Sequence, residues 1–140
     1  MDRRILKYEP ELDFALLAIT SPLEAHLLCF KLNRQLNIDL CRIDELEISL
    51  HESDSDVLHF SRYFYQNSPS GTTFYLLKNR SIGGFLISEM KNVDFFLLIE
   101  NCIDEEDLRA NISIINQMPE VLVAVQVDPR KIKSRENLIF

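Results

Sequence analysis

An almost unbroken apolar run, Leu12 to Ile19, leads directly into Ser21-Pro22-Leu23-Glu24. Apolar residues that do not alternate with polar ones mark a strand covered on both faces, because alternation is what leaves one face wet. The tetrapeptide behind the run has the form of a capping box. Ser21 as N-cap accepts a backbone N–H of the first turn, Pro22 sits where its missing donor costs nothing, and Glu24 reaches back to the N-cap amide. A helix is therefore expected from Pro22 to Leu36, with Leu28, Leu32 and Leu36 facing the core and Glu24, Lys31, Arg34 and Gln35 facing water.

Strand character resumes near Ile38. Between Leu40 and Leu50, Cys41 and Ile43 share one parity while Leu46, Ile48 and Leu50 share the other, which places a bulge at Asp44-Glu45. His51 to Asp56 is a polar acidic loop. Val57 to Tyr65 alternates as a half-buried strand, Gln66 to Gly71 is turn-rich, and Thr72 to Leu77 is β-branched and aromatic. A turn at Ile82-Gly83-Gly84 precedes Phe85-Leu86-Ile87, and these middle strands suit a meander. Val93 to Ile99 is a further apolar strand. Asp104-Glu105-Glu106-Asp107 then supplies an N-cap and carboxylates for the positive end of a second helix, whose core stripe is Leu108, Ile112, Ile115 and Met118. Pro119 ends that helix, and Val121 to Val127 reads as another buried strand.

The order strand, helix, strands, strand, helix, strand predicts an α+β fold: a mainly antiparallel sheet of about six or seven strands with two helices on one face. At 140 residues and 46% hydrophobic content, residues 1–140 suit a single domain with a substantial core. Asp13-Phe14-Ala15-Leu16-Leu17 and Asp94-Phe95-Phe96-Leu97-Leu98 each open a strand that leads into a capped helix. They are compatible with two related β-α-β halves, but the general likeness of hydrophobic strands is the favoured explanation. If the strands flanking each helix run parallel, the handed crossover rule puts both helices on the same side.

A net charge of −7 repels phosphate backbones, which disfavours nucleic acid and anionic membranes as partners. No apolar run reaches the length of a membrane span, and the charged start Met1-Asp2-Arg3-Arg4 lacks an apolar signal core. Cys29, Cys41 and Cys102 are widely spaced and form no C-x-x-C pair, so they read as free buried thiols of a cytoplasmic protein.

The run Ile87-Ser88-Glu89-Met90-Lys91-Asn92-Val93-Asp94-Phe95 resembles the signature of the IPExxxVDY family, a small bacterial family without an agreed biochemical activity. Ile87, Glu89, Val93 and Asp94 match the signature, Phe95 replaces Tyr, and Ser88 replaces Pro. The resemblance makes Glu89 and Asp94 candidate site residues and implies neither a substrate nor a cofactor. The loss of the hydroxyl at position 95 means that it is not essential to any activity of this chain. As carboxylates at the ends of elements, Glu89 and Asp94 are also suited to accepting backbone N–H groups.

Lys78-Asn79-Arg80-Ser81-Ile82-Gly83-Gly84 has two ways to act. Lys78 and Arg80 with glycine amides make an anion cradle, and the same residues make a basic hairpin turn. No Walker loop, dinucleotide fingerprint, nucleophile elbow or Cys–His pair occurs, and no catalytic residue is assigned. The oxygen-rich loop His51 to Asp56 lacks calcium-loop spacing, and no metal or cofactor is expected. Arg130, Lys131, Lys133 and Arg135 precede an apolar end, Leu138-Ile139-Phe140, that needs somewhere to dock. The expected function is a non-enzymatic interaction or regulatory module that self-associates as a homodimer, with the tail reaching a neighbouring subunit or its own chain. The alternative is a binding protein or enzyme for a small anionic metabolite, using Lys78, Arg80, Glu89 or Asp94.

Overall fold

The computed structural model describes residues 13–49, 57–68, 70–101 and 104–140. The elements follow in the order β1 (Phe14–Thr20), α1 (Ala25–Leu36), β2 (Cys41–Ser49), β3 (Val57–Gln66), β4 (Thr73–Lys78), β5 (Arg80–Ser81), β6 (Gly84–Phe85), β7 (Phe95–Glu100), α2 (Glu105–Asn116) and β8 (Val123–Val127). Short 3-10 helices at Pro129–Lys131 and Arg135–Leu138 close the chain. Six strands form one sheet in the order β2-β3-β4-β7-β1-β8, and β5 pairs with β6 as a separate hairpin. Every ladder is antiparallel. The architecture is α+β, with the expected meander at β2-β3-β4.

Because β7 and β8 are both antiparallel to β1 and flank it, they run parallel to each other, and α2 connects them across the strand between. β1 and β2 likewise run parallel, joined by α1 across three strands. Travel from β1 to β2 and from β7 to β8 reverses both strand sense and direction across the sheet. Right-handed crossovers therefore bring both helices to one face. There Leu28 and Leu32 of α1, Leu108 and Ile115 of α2, and Met118 just after α2 pack on Leu17, Ile19, Leu76, Phe95 and Leu97.

The opposite face carries Leu16, Ala18, Phe60, Leu77, Phe96 and Leu98, and among the described residues no α-helix covers it. Leu86 and Ile87, from the segment between β6 and β7, and Ile132 and Leu138, from the strap that follows β8, pack over it. This is why β1 and β7 lack alternation: both of their faces are buried. Phe140 ends the strap with its ring edge-on to Tyr75 at 4.9 Å and beneath the Arg62 guanidinium. The apolar tail docks on its own chain.

The register shift between Ile43 and Leu46 falls where parity changes in the sequence. Asp104 caps α2, its carboxylate accepting the Asp107 N–H at 2.8 Å. Four expectations are corrected. Ser21 is not the N-cap of α1: the helix begins at Ala25 behind Glu24, while the buried Ser21 hydroxyl donates to the Glu120 carbonyl at 2.8 Å. The turn leading into β8 offers that carbonyl, and Ser21 is drawn to it instead of to the helix. Leu86 and Ile87 are buried but not in a strand, because the chain leaves β6 after Phe85 to cover the sheet. Val121 to Val127 is not buried on both faces, since β8 is an edge strand among the described residues, with Val125 48% exposed and Leu122, just before the strand, 73% exposed. Cys41 is exposed on the other edge strand, whereas Cys29 is buried. Cys102 and the loop His51 to Asp56 lie outside the described residues.

The two helices end alike. Asn33 uses its carboxamide to bond both backbone groups of Leu40, at 2.8 and 3.1 Å, just before β2. Asn116 does the same to Ala124 within β8, both bonds at 2.8 Å. Each side chain thereby takes up backbone groups that no neighbouring strand satisfies. Replacing Asn116 with Ala strands the N–H and C=O of Ala124, and we expect a loss of about 1–3 kcal/mol in urea unfolding; an unchanged midpoint and slope would show that water serves these groups equally well.

Candidate functional site

The signature-like segment is organised by Asn79, which follows the last residue of β4 and is fully buried. Its amide donates to the carbonyls of Met90 at 2.9 Å and Val93 at 2.8 Å, and its side-chain oxygen accepts the Ile87 N–H at 2.8 Å. Its backbone N–H donates to Asp94, and its backbone carbonyl accepts from Leu86. Residues 86–94 thus wind around one carboxamide, tightened by turns in which Met90 N–H donates to Ile87 and Val93 N–H to Met90. The fully buried Ile87 roots the segment in the core.

Both candidate carboxylates join segments distant in the chain. Glu89 accepts from the N–H and the hydroxyl of Ser134, each at 2.9 Å, and so fastens the C-terminal strap. Desolvation, the largest single cause, pushes its pKa upward, but the Ser134 N–H, the Glu89 N–H, the Ser134 hydroxyl and the Lys133 N–H together outweigh it, and the net shift is downward. Asp94 accepts the Ser21 N–H at 2.8 Å, and its own N–H donates to Ile19, which locks the start of β7 to the end of β1.

Lys78, Arg80 and Asp94 line one shallow depression of about 280 Å³ together with Glu24. Glu89 is not among its walls. Lys78 and Arg80 also border a second depression, of about 460 Å³, beside Glu45 and His59. His59 faces Glu45 at 3.7 Å and Glu47 at 3.8 Å. Both depressions thus set the two cations among carboxylates, which lowers the local pull on an anion. The glycines of the candidate cradle serve the hairpin: Gly83 has φ +97°, and a Cβ at Gly84 would lie 2.8 Å from the Leu58 side chain.

Burial is the leading cause that pushes the Cys29 thiol up to about 11, with the negative charge available at Cys41 adding to it. A thiol in that range stays protonated at neutral pH and is a poor nucleophile. Among the described residues, no cluster of three His, Cys, Asp or Glu side chains could hold a metal ion, and no helix is long and apolar enough to cross a membrane. No protein-family model matches the chain, and no curated protein does.

Asn79, Ser134 and the exposure of β8 are the features that sequence reasoning missed. A small amide between Lys78 and Arg80 has the composition of a turn, and only the strand exit around it shows that it faces inward.

Asn79→Ala orphans the Ile87 N–H and the Val93 carbonyl and takes one of two donors from the Met90 carbonyl, and we expect a loss of roughly 3–5 kcal/mol in equilibrium unfolding. A loss below about 1 kcal/mol would mean that water replaces the carboxamide. For Glu89, the folded pKa lies below the ordinary 4.5. Its contribution is therefore present above the unfolded value and disappears as pH falls through the folded one. Melting temperatures from roughly pH 3 to pH 7 should fall less steeply at the acid end for Glu89→Gln than for the native chain; parallel curves would count against the Ser134 contacts.

Proposed function

We propose that this chain is a non-enzymatic interaction module that acts as a homodimer, joined along the β8 margin. The observation that carries the reading is the contrast between the two edges of the sheet. β2 bears Arg42, Asp44, Glu45 and Glu47 and is interrupted by a bulge, features that keep an edge from pairing with other chains. β8 bears no charge from Val121 to Val127, and Leu122, Val123 and Val125 stand 73%, 43% and 48% exposed. On a chain of net charge −7, a charge-free margin is where two copies approach with least repulsion. Asn116 already occupies the backbone groups of Ala124, so side-chain packing about a two-fold axis, rather than strand addition through Ala124, fits this edge.

The same reading keeps the chain in the cytoplasm, where the buried Cys29 stays reduced. The likeness of residues 87–95 to the IPExxxVDY signature supports membership of that family as part of the proposal. A metabolite site at Lys78 and Arg80 is the weaker reading, because Glu24, Asp94 and Glu45 share those depressions.

Light scattering after size-exclusion chromatography tests the proposal. The native chain should elute as a dimer, and Val125→Lys, at an exposed position, as a folded monomer. A native chain that stays monomeric at high micromolar concentration would falsify the dimer, and a dimer that survives Val125→Lys removes β8 from the interface.

A further inference from the structure

We infer that the cleft between the β5–β6 hairpin and the C-terminal strap binds a small amphipathic carboxylate, an apolar chain or ring with one anionic group. The cleft has a volume of about 480 Å³, within the range of small-molecule sites. Its floor is apolar: Leu58 and Leu86 are buried members of the core below, and Ile48 and Phe85 extend the surface outward. Such a floor favours a hydrocarbon body and offers nothing to a hydrated inorganic ion.

The rim supplies the polar selection. Among the described residues Lys91 is the one charged side chain in the lining, and its ammonium stands 5.9 Å from the centroid of the Phe85 ring, above the apolar floor. Unlike Lys78 and Arg80, it shares its cleft with no carboxylate among the described residues. Glu89 is turned toward Ser134 and is not a wall of the cleft. The Ser88 hydroxyl makes no hydrogen bond among the described residues and is available to a carboxylate oxygen. Asn137 has already committed its amide to the Leu86 carbonyl at 2.8 Å, which fixes the strap as the second wall.

A ligand held here spans hairpin and strap and should stabilise their contact. The site is separate from the β8 margin, so it stands or falls independently of the dimer.

Octanoate is the probe, with octanol and inorganic phosphate as partial mimics, followed by isothermal titration and by melting of the full chain. Octanoate should bind with a dissociation constant of roughly 0.1–1 mM and raise the melting temperature. Octanol should bind more weakly, and phosphate not at all. Lys91→Gln, an exposed substitution, should weaken octanoate by about tenfold and leave octanol unchanged. Ser88→Phe, also at an exposed position, should fill the cleft and abolish both. No octanoate binding at millimolar concentration overturns the inference. So does octanoate binding that Lys91→Gln leaves unaltered, or phosphate binding as tight as octanoate; should Ser88→Phe fail to fold, Lys91→Gln still decides.

Discussion

One buried carboxamide holds the non-helical half of this fold in place. A carboxamide has two donors and one acceptor, and Asn79 spends them on Val93, Met90 and Ile87 while its backbone bonds Asp94 and Leu86. The alternatives fail for identifiable reasons. Asp has no donors for two carbonyls, Gln places the same groups one methylene too far, and Leu leaves the Ile87 N–H and the Val93 carbonyl without the carboxamide they bond. A fully satisfied buried network also rigidifies its surroundings, because each group has one geometry in which all the others are served. The path of residues 86–94 follows from that geometry, and so do the positions from which Glu89 reaches Ser134 and Asp94 reaches Ser21.

The sheet thus has two unlike covers. On one face, helices bring regular apolar stripes, with Lys31 and Glu120 paired at 2.9 Å between α1 and the turn after α2. On the other, an irregular segment and a terminal strap do the same work with fewer apolar side chains, so polar contacts have to fix their positions. The irregular cover reaches Val127 but stops short of Val123 and Val125, which stay exposed. What the chain offers to the outside, an uncharged margin and a cleft beside the strap, lies where that cover ends.

The regular parts of the fold were legible because periodicity reports burial. The strands near Phe14, Val57, Thr73 and Phe95, the stripe Leu108 to Met118 and the bulge before Leu46 all appear in the pattern of apolar residues. Two helices on one face followed from topology once the order of elements was read. The rest depends on contacts between distant segments. Ser21 has the local form of an N-cap, yet its partner is the carbonyl of Glu120, which no local rule names. Valines in an edge strand look like valines in a buried one, because the sequence does not say where the sheet stops. Of the candidate site, Lys78, Arg80 and Asp94 are brought together and Glu89 is not. The partner of Glu89, Ser134, gave no signal in a stretch that reads as a basic tail.

The position of β1 between β7 and β8 has a consequence for how the protein is made. The first of the described strands acquires its neighbours from β7 and β8, about eighty residues or more further along. Until the ribosome has passed Val127, β1 has at most one partner, and its two apolar faces wait for a strap that is made later still. Contacts of this span reward the chain only after a large closure entropy has been met, so β1 is enclosed late. Over that interval a hydrophobic strand sits unshielded on the nascent polypeptide, where chaperones that recognise such segments find it.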